Sequence, residues 1–166
     1  MRTGLADISA VTGEGPNTLV RILAIDFGMK RMGLAVCDPL GITAQGLPTL
    51  ERTRLQDDLR KIQELAQEYS VERVLVGHPI GHAGGETTMS RHASEFAEKL
   101  RRTVACPVDL WDERFTSVEA NRTLRESGMS IDKRRRAVDR VAATLLLQSY
   151  LDFLSNERDR NSGAAS

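Results

Sequence analysis

The chain has 166 residues, 23 basic and 23 acidic side chains, 40% hydrophobic and 28% charged residues. This composition predicts one globular domain with a single substantial core, and the balanced charge argues against a protein that coats nucleic acid through bulk charge. There is no apolar run of the roughly 20 residues that a membrane span needs. The first twenty residues also lack the basic head and apolar block of a secretory signal, so we expect a cytoplasmic protein without membrane contact.

The apolar pattern predicts strands first and then alternating helices and strands. The predicted strands are short apolar runs bounded by Gly, Pro or acidic residues, and they span 21–26, 33–37, 42–50, 73–77 and 108–111. Helical spacing of apolar residues covers 55–66, 89–104 and 137–151. This order predicts an α/β domain with a mixed sheet and helices on its faces.

Polar and small residues dominate both ends of the chain. We expect residues 1–20 to be a flexible N-terminal extension, residues 21–154 to form the domain, and residues 155–166 to be a disordered polar tail.

The first candidate functional residue is Asp26, where an apolar strand runs into a turn containing Gly28. An ionised carboxylate at the end of a core strand requires a compensating group, and a bound cation is a common one. A simple hairpin turn explains the Asp-x-Gly pattern equally well.

Glu113 is a second acid at the end of a predicted strand. Thr116 and Glu119 are spaced as the capping box of a helix that follows at once. In open α/β sheets the carboxyl ends of adjacent parallel strands form the ligand crevice. The alternative is a solvated connector in which Glu113 pairs with its neighbours.

Asp139 is a third acid, placed at the head of an apolar helical stripe that continues through Ala142, Ala143 and Leu146. The two alanines would allow the helix to approach the sheet closely and bring Asp139 to the strand ends. A favourable interaction with the helix dipole, worth about 0.3–1 kcal/mol, is the alternative role.

Basic residues are concentrated in the same part of the chain. Between Arg114 and Arg140 there are eight Lys or Arg and four acidic residues, which gives this segment a net charge of +4. A local basic stripe on a neutral protein favours a polyanion bound on one face. A solvated charged loop is the alternative.

Five short motifs follow one another along the chain: Asp-x-Gly-x-Lys-Arg-x-Gly at 26–33, Asp-Pro-Leu-Gly at 38–41, Val-Gly-x-Pro at 76–79, Asp-Glu-Arg-x-Thr at 112–116 and Val-Asp-x-x-Ala-Ala at 138–143. Together they resemble the YqgF/RuvX family of bacterial proteins. The resemblance spans roughly residues 20–154, and the five motifs in this order are specific together. It implies an RNase H-like fold, a five-stranded mixed sheet flanked by about four helices, with Asp26, Glu113 and Asp139 as an acidic triad.

The triad and the family resemblance together predict a nuclease. Three hard oxygen ligands suit Mg²⁺ or Mn²⁺ beside a phosphodiester. The expected phosphate contacts are basic side chains near the triad: Lys30, Arg31, Arg114, Lys133, Arg134, Arg135 and Arg136. The expected partner is pre-16S rRNA, with ribosomal precursor particles, and branched DNA as the alternative. Low aromatic content and the absence of a spare apolar helix favour a monomer or weak dimer.

Several alternatives stay open at this level. The same acids fit a Holliday junction resolvase, and a non-catalytic nucleic-acid-binding module is a second alternative. An ATPase of the actin and Hsp70 group would need two such halves. Asp112 and Asp38 are both candidates for a fourth acid. His78, His82 and His92 fit no standard zinc pattern and are interpreted as loop or surface residues, and Trp111 as a packing residue.

Overall fold

The computed structural model describes residues 20–79, 84–112, 128 and 130–163. Its strands and helices follow the predicted order. The strands are β1 (Ile22–Asp26), β2 (Arg31–Cys37), β3 (Ala44–Glu51), β4 (Arg73–His78) and β5 (Val108–Asp112). The helices are α1 (Leu55–Glu68), α2 (Thr88–Arg101) and α3 (Ile131–Gly163).

The five strands form one mixed sheet in the order β3-β2-β1-β4-β5. The β1–β2 and β2–β3 pairs are antiparallel, whereas β1–β4 and β4–β5 are parallel. The carboxyl ends of β1, β4 and β5 therefore lie at the same edge of the sheet, which is where a parallel sheet places a ligand crevice. The predicted five-stranded mixed α/β sheet is confirmed.

Strand alternation separates two cores on the two faces of the sheet. Leu23 and Ile25 of β1 face α1 and α2, in the cluster that contains Ile62 and Phe96. The even-numbered residues of β1, beginning with Ile22, face α3. Helices thus cover both faces, as predicted, and the described residues include three of the expected four or so helices.

Helix α3 is longer than its apolar stripe predicts. It begins at Ile131, six residues before the predicted start at Ala137, and continues to Gly163. Residues 155–163 are helical in the structure, in place of the disordered polar tail that their composition predicts. Leu154 is 6% exposed and fixes the preceding turn on the sheet, and Arg160 pairs with Glu157 one turn earlier.

In the part of the chain that the structure describes, no helix is both long enough and apolar enough to cross a membrane.

Candidate active site

Asp26 is the last residue of β1 and lies at the carboxyl edge of the sheet. Ile22 and Ala24, four and two residues earlier, pack against α3. Because side chains alternate along a strand, Asp26 belongs to the same face as these two residues. Its partner on β2 in the antiparallel register is Gly33.

Gly33 brings α3 into direct contact with this part of the sheet. A Cβ atom at residue 33 would lie 1.9 Å from the backbone oxygen of Asp139 and 3.2 Å from its Cα. Only glycine allows such an approach, since an ordinary carbon contact is about 3.5–4.0 Å. Asp26 and Asp139 are therefore neighbours of the same glycine on the same face of the sheet. The structure thus places the backbone of two of the three predicted acids next to the same residue, Gly33.

Further contacts fix the first turns of α3 over β2 and β3. The Thr49 hydroxyl donates to the backbone oxygen of Arg136 over 2.9 Å, and Arg140 Nε donates to the Leu47 carbonyl over 3.1 Å. A Cβ at Gly46 would meet Arg140 Cγ at 2.5 Å, so a second glycine accommodates the helix here. The position of Asp139 is consequently set by several independent contacts.

The carboxylate of Asp139 is only partly solvated. Its side chain is 25% exposed, and Oδ2 accepts a hydrogen bond from Arg31 Nε at 3.1 Å. Burial raises the pKa of Asp139, the Arg31 guanidinium opposes that rise, and the negative charge of Glu51 adds to it. The cost of removing water from the ionised carboxylate exceeds the stabilisation that Arg31 gives it, and a bound cation would make up the difference. Carboxylate oxygen is also the ligand type that Mg²⁺ and Mn²⁺ prefer.

The third predicted acid, Glu113, lies outside the described residues, as does Arg114. Among the residues that the structure does describe, no group of three His, Cys, Asp or Glu side chains is arranged to hold a metal ion. The described site residues therefore supply two carboxylates of the predicted triad.

The two candidates for a fourth acid do not join Asp26 and Asp139. Asp112 ends β5, where alternation puts it on the face opposite to Trp111, and Trp111 packs against the α3 core. Asp38 follows the far end of β2 and accepts hydrogen bonds from the backbone N–H of Ile42 and Thr43. Those bonds lower the pKa of Asp38, which is a turn residue.

The described basic residues that were predicted to contact phosphate lie in the β1–β2 turn, at the start of β2 and in the first turns of α3. Lys30 is exposed in the β1–β2 turn, and Arg31 starts β2 beside Asp139. The cluster from Lys133 to Arg136 lies in the first two turns of α3 and is helical, where the sequence left open a solvated loop. Arg136 pairs with Glu51 at 3.1 Å and keeps a side chain that is 62% exposed.

The histidines and aromatic residues have ordinary packing roles in the described residues. His78 Nε2 lies 3.2 Å from the Ser94 hydroxyl, and the half-buried His92 is 3.9 Å from Glu95. The Trp111 ring makes an edge contact with Tyr150 at 5.0 Å, which confirms the packing interpretation. His82 lies outside the described residues.

Sequence reasoning missed one polar cluster next to the site, formed by Arg52 and Asp58. Asp58 is fully buried in the first turn of α1 and pairs with Arg52 Nε at 3.3 Å. The guanidinium of Arg52 also reaches the turn that follows Asp26. Asp58 lies four residues before the buried Ile62, so it occupies the apolar stripe of α1. An acid within an apolar helical stripe was the signal that identified Asp139, and the same signal would have identified Asp58.

Comparisons with known proteins match one family model and several named relatives. The model of the RuvX family, described as Holliday junction resolvase, matches residues 20–153. A protein of Koribacter versatilis (strain Ellin345), named as a candidate pre-16S rRNA nuclease, is 50% identical over 139 residues, covering 84% of this chain and 91% of the relative. A protein of the same name from Syntrophus aciditrophicus (strain SB) is 43% identical over 139 residues, covering 84% of this chain and 93% of the relative.

A solved structure shows the same fold at low sequence identity. The fowlpox virus resolvase in complex with Holliday junction DNA superposes with a TM-score of 0.53 at 13% identity, covering 81% of this chain and 99% of the resolvase.

Proposed function

The chain belongs to the RuvX family, and on that basis we propose that it is a metal-dependent endonuclease that hydrolyses phosphodiester bonds in nucleic acid. Its five-stranded mixed sheet with helices on both faces is an RNase H-like fold. The observation that carries the proposal is the contact between Gly33 and the backbone of Asp139, which gathers Asp26 and Asp139 at the carboxyl edge of the sheet.

We propose that Asp26, Asp139 and Glu113 hold Mg²⁺ or Mn²⁺. The donor set fits, because the two described acids share one face and one edge of the sheet, and the pKa of Asp139 is raised by a desolvation that a cation would offset. A divalent ion bound there would supply activation of water and stabilisation of the leaving oxygen. Glu113 directly follows Asp112, the last residue of β5.

The basic residues bind and orient the substrate in this proposal. Arg31 pairs with Asp139, so its guanidinium would be available to a phosphate bound beside that acid. Lys30, Arg114 and the cluster of Lys133, Arg134, Arg135 and Arg136 supply further phosphate contacts. Such contacts fix the register of a nucleic acid without reading its sequence.

We propose that the substrate is pre-16S rRNA, the RNA that the names of the relatives give for those proteins, and that cleavage occurs at its 5′ end. The neutral net charge supports this choice, because it gives little general attraction to duplex DNA and favours RNA presented within a ribosomal precursor particle. A monomer or weak dimer in the cytoplasm would be sufficient. Holliday junction resolution, the description attached to the family model, is the second candidate and needs a twofold dimer.

A cleavage assay tests the acids and the substrate together. Wild-type protein, Asp26→Asn, Asp139→Asn and Glu113→Gln are incubated in Mg²⁺ or Mn²⁺ with 5′-extended 16S precursor RNA or with a four-way DNA junction. We expect RNA cleavage by the wild type and losses of more than about 100-fold in each variant, above the range typical for groups that only support a metal ligand.

The matched control is Asp57→Asn, which removes an acid from α1 that is 38% exposed and paired with Arg60. This variant should cleave like the wild type. Cleavage of the junction but not of the RNA would establish resolution instead. Tight RNA binding with no cleavage of either substrate would make the protein a non-catalytic module.

A further inference from the structure

We propose that Arg52 is a positioning residue for the candidate active site, and that it acts by fixing the β1–β2 turn that carries the chain from Asp26 to Arg31. Its Nη1 donates to the Gly28 carbonyl at 3.1 Å, and its guanidinium lies over the Phe27 ring, 4.8 Å from the centroid. Its backbone N–H donates to the Lys30 carbonyl at 2.9 Å. Arg52 thus engages the turn at three separate residues.

The anchor for Arg52 is a buried, hydrogen-bonded carboxylate. Asp58 is 0% exposed, and its Oδ2 accepts from Arg52 Nε at 3.3 Å. Its other oxygen accepts from the Thr53 backbone N–H at 3.0 Å and fixes the start of α1. Arg54, the N-cap residue, makes no side-chain cap bond, and the bond from Thr53 to Asp58 instead ties the residue before the N-cap to the first turn of the helix. The turn after Asp26 is therefore tied through Arg52 to the first turn of α1.

The turn has little freedom of its own. A Cβ at Gly28 would lie 2.4 Å from the Arg31 carbonyl oxygen, so the backbone folds back tightly on itself. Residues at both ends of the turn belong to the site, since Asp26 precedes it and Arg31 pairs with Asp139 after it. A change in the turn would alter the separation of the Asp26 carboxylate from Asp139. Losing such support for a metal ligand typically costs about 10- to 100-fold in metal affinity or activity.

Arginine suits this role for a geometric reason. Its planar fork donates from Nε to Asp58 and from Nη1 to Gly28 at the same time, and its face covers Phe27. A lysine retains the charge that Asp58 requires but presents a single point donor. The Arg52→Lys variant therefore separates compensation of a buried charge from positioning of the turn.

The test compares wild type, Arg52→Lys and Arg52→Ala with the control Arg60→Ala, which removes the same charge from an arginine that is 64% exposed on α1. Hydrogen exchange of backbone amides is measured by mass spectrometry without metal, and Mn²⁺ affinity by calorimetry. The kcat and KM for cleavage of 5′-extended 16S precursor RNA are measured in parallel. The kinetic readout rests on the proposed function, whereas the exchange readout does not.

For Arg52→Lys we expect at least about 10-fold faster exchange in residues 27–31 and unchanged exchange in β4. Mn²⁺ should bind about 10-fold more weakly, and kcat should fall about 10- to 100-fold with KM within about threefold of wild type. Arg52→Ala should show the same pattern with an added loss of global stability, because Asp58 loses its charge partner.

Wild-type exchange in residues 27–31 of Arg52→Lys would overturn the proposal. Acceleration spread evenly over the chain, or an equal effect in Arg60→Ala, would overturn it too. If the wild type neither binds Mn²⁺ nor cleaves RNA, the proposed function fails while the exchange result still decides the role of Arg52.

Discussion

Replacing Gly33 with alanine tests the contact on which the candidate site depends. The new Cβ would lie 1.9 Å from the Asp139 backbone oxygen and 2.5 Å from its carbonyl carbon. Both atoms are backbone, so no side-chain rotation relieves the clash. Restoring an ordinary contact of about 3.4 Å requires the start of α3 to move by about 1.5 Å relative to β2.

The movement should lower stability moderately and activity strongly. Overpacking of this kind costs about 1–3 kcal/mol, which for a domain of this size lowers Tm by about 3–10 °C. A misplacement of about 1 Å in a catalytic group can reduce the rate about 100-fold. We expect folded Gly33→Ala protein, assayed well below its Tm, to cleave 5′-extended 16S precursor RNA at least 100-fold more slowly and to bind Mn²⁺ more weakly.

Gly46→Ala is the matched control. It adds the same methyl group under the same helix, but the nearest atoms are Cγ and Cδ of Arg140, at 2.5 and 2.8 Å. Displacing this side chain costs its hydrogen bond to the Leu47 carbonyl but needs no shift of the helix backbone, so activity should fall much less than in Gly33→Ala. Wild-type cleavage and Mn²⁺ affinity in folded Gly33→Ala would refute the reasoning, as would equal losses in the two variants.

Further predictions concern charge. Replacing the three adjacent arginines 134–136 with alanine should weaken RNA binding and reduce the magnitude of the slope of log K against log salt concentration by about 2. As the control, alanine at the exposed, acid-paired Arg60, Arg91 and Arg160 should leave that slope unchanged. Because the pKa of Asp139 is raised by burial, Mn²⁺ affinity followed by calorimetry should fall as pH drops through that raised value, above the range of an ordinary aspartate. In the metal-free protein the folded state binds this proton more readily than the unfolded state, so its stability should increase over the same fall in pH, and Asp139→Asn should lose both effects. Arg31→Gln should bind Mn²⁺ about 2- to 5-fold more tightly and RNA more weakly; weaker binding of Mn²⁺ would show that Arg31 supports the metal site.

Periodicity was sufficient to predict most of the fold. The five strands agree with the predicted runs within about two residues, because buried strands leave short apolar runs between Gly, Pro and acidic residues. The predicted start of α3, Ala137, was six residues too late. Three arginines near a helix N-terminus are unfavourable for the helix dipole, so their sequence favours a loop. In the structure Arg136 pairs with Glu51, and the Thr49 hydroxyl donates to the Arg136 carbonyl, and both contacts stabilise the helix start.

Local sequence could identify candidate acids but not their neighbours. Asp26 and Asp139 stand out as carboxylates attached to apolar segments, and that signal is local. The pairing of Arg31 with Asp139 joins residues 108 positions apart, and no local pattern specifies it. The hydrogen bond from Arg52 to Gly28 was not predicted for a related reason. It depends on the pairing of β3 with β2, which brings Arg52 next to the β1–β2 turn.

The close approach of α3 to the sheet and the raised pKa of Asp139 have one origin. Gly33 and Gly46 remove the side chains that would keep the helix at a normal distance, and Ala142 and Ala143 are small on the helix side. The helix start therefore settles onto β2 and β3, and the Asp139 carboxylate loses water that one hydrogen bond from Arg31 does not fully replace. Such confinement is unfavourable for the metal-free protein. It would become favourable if a divalent cation bound beside Asp139, as proposed above, because electrostatic attraction strengthens where water is excluded. Gly33 and Gly46 set the distance between α3 and the sheet. Substitution should be tolerated least at Gly33, because its new Cβ would meet helix backbone, whereas a Cβ at Gly46 would meet a side chain.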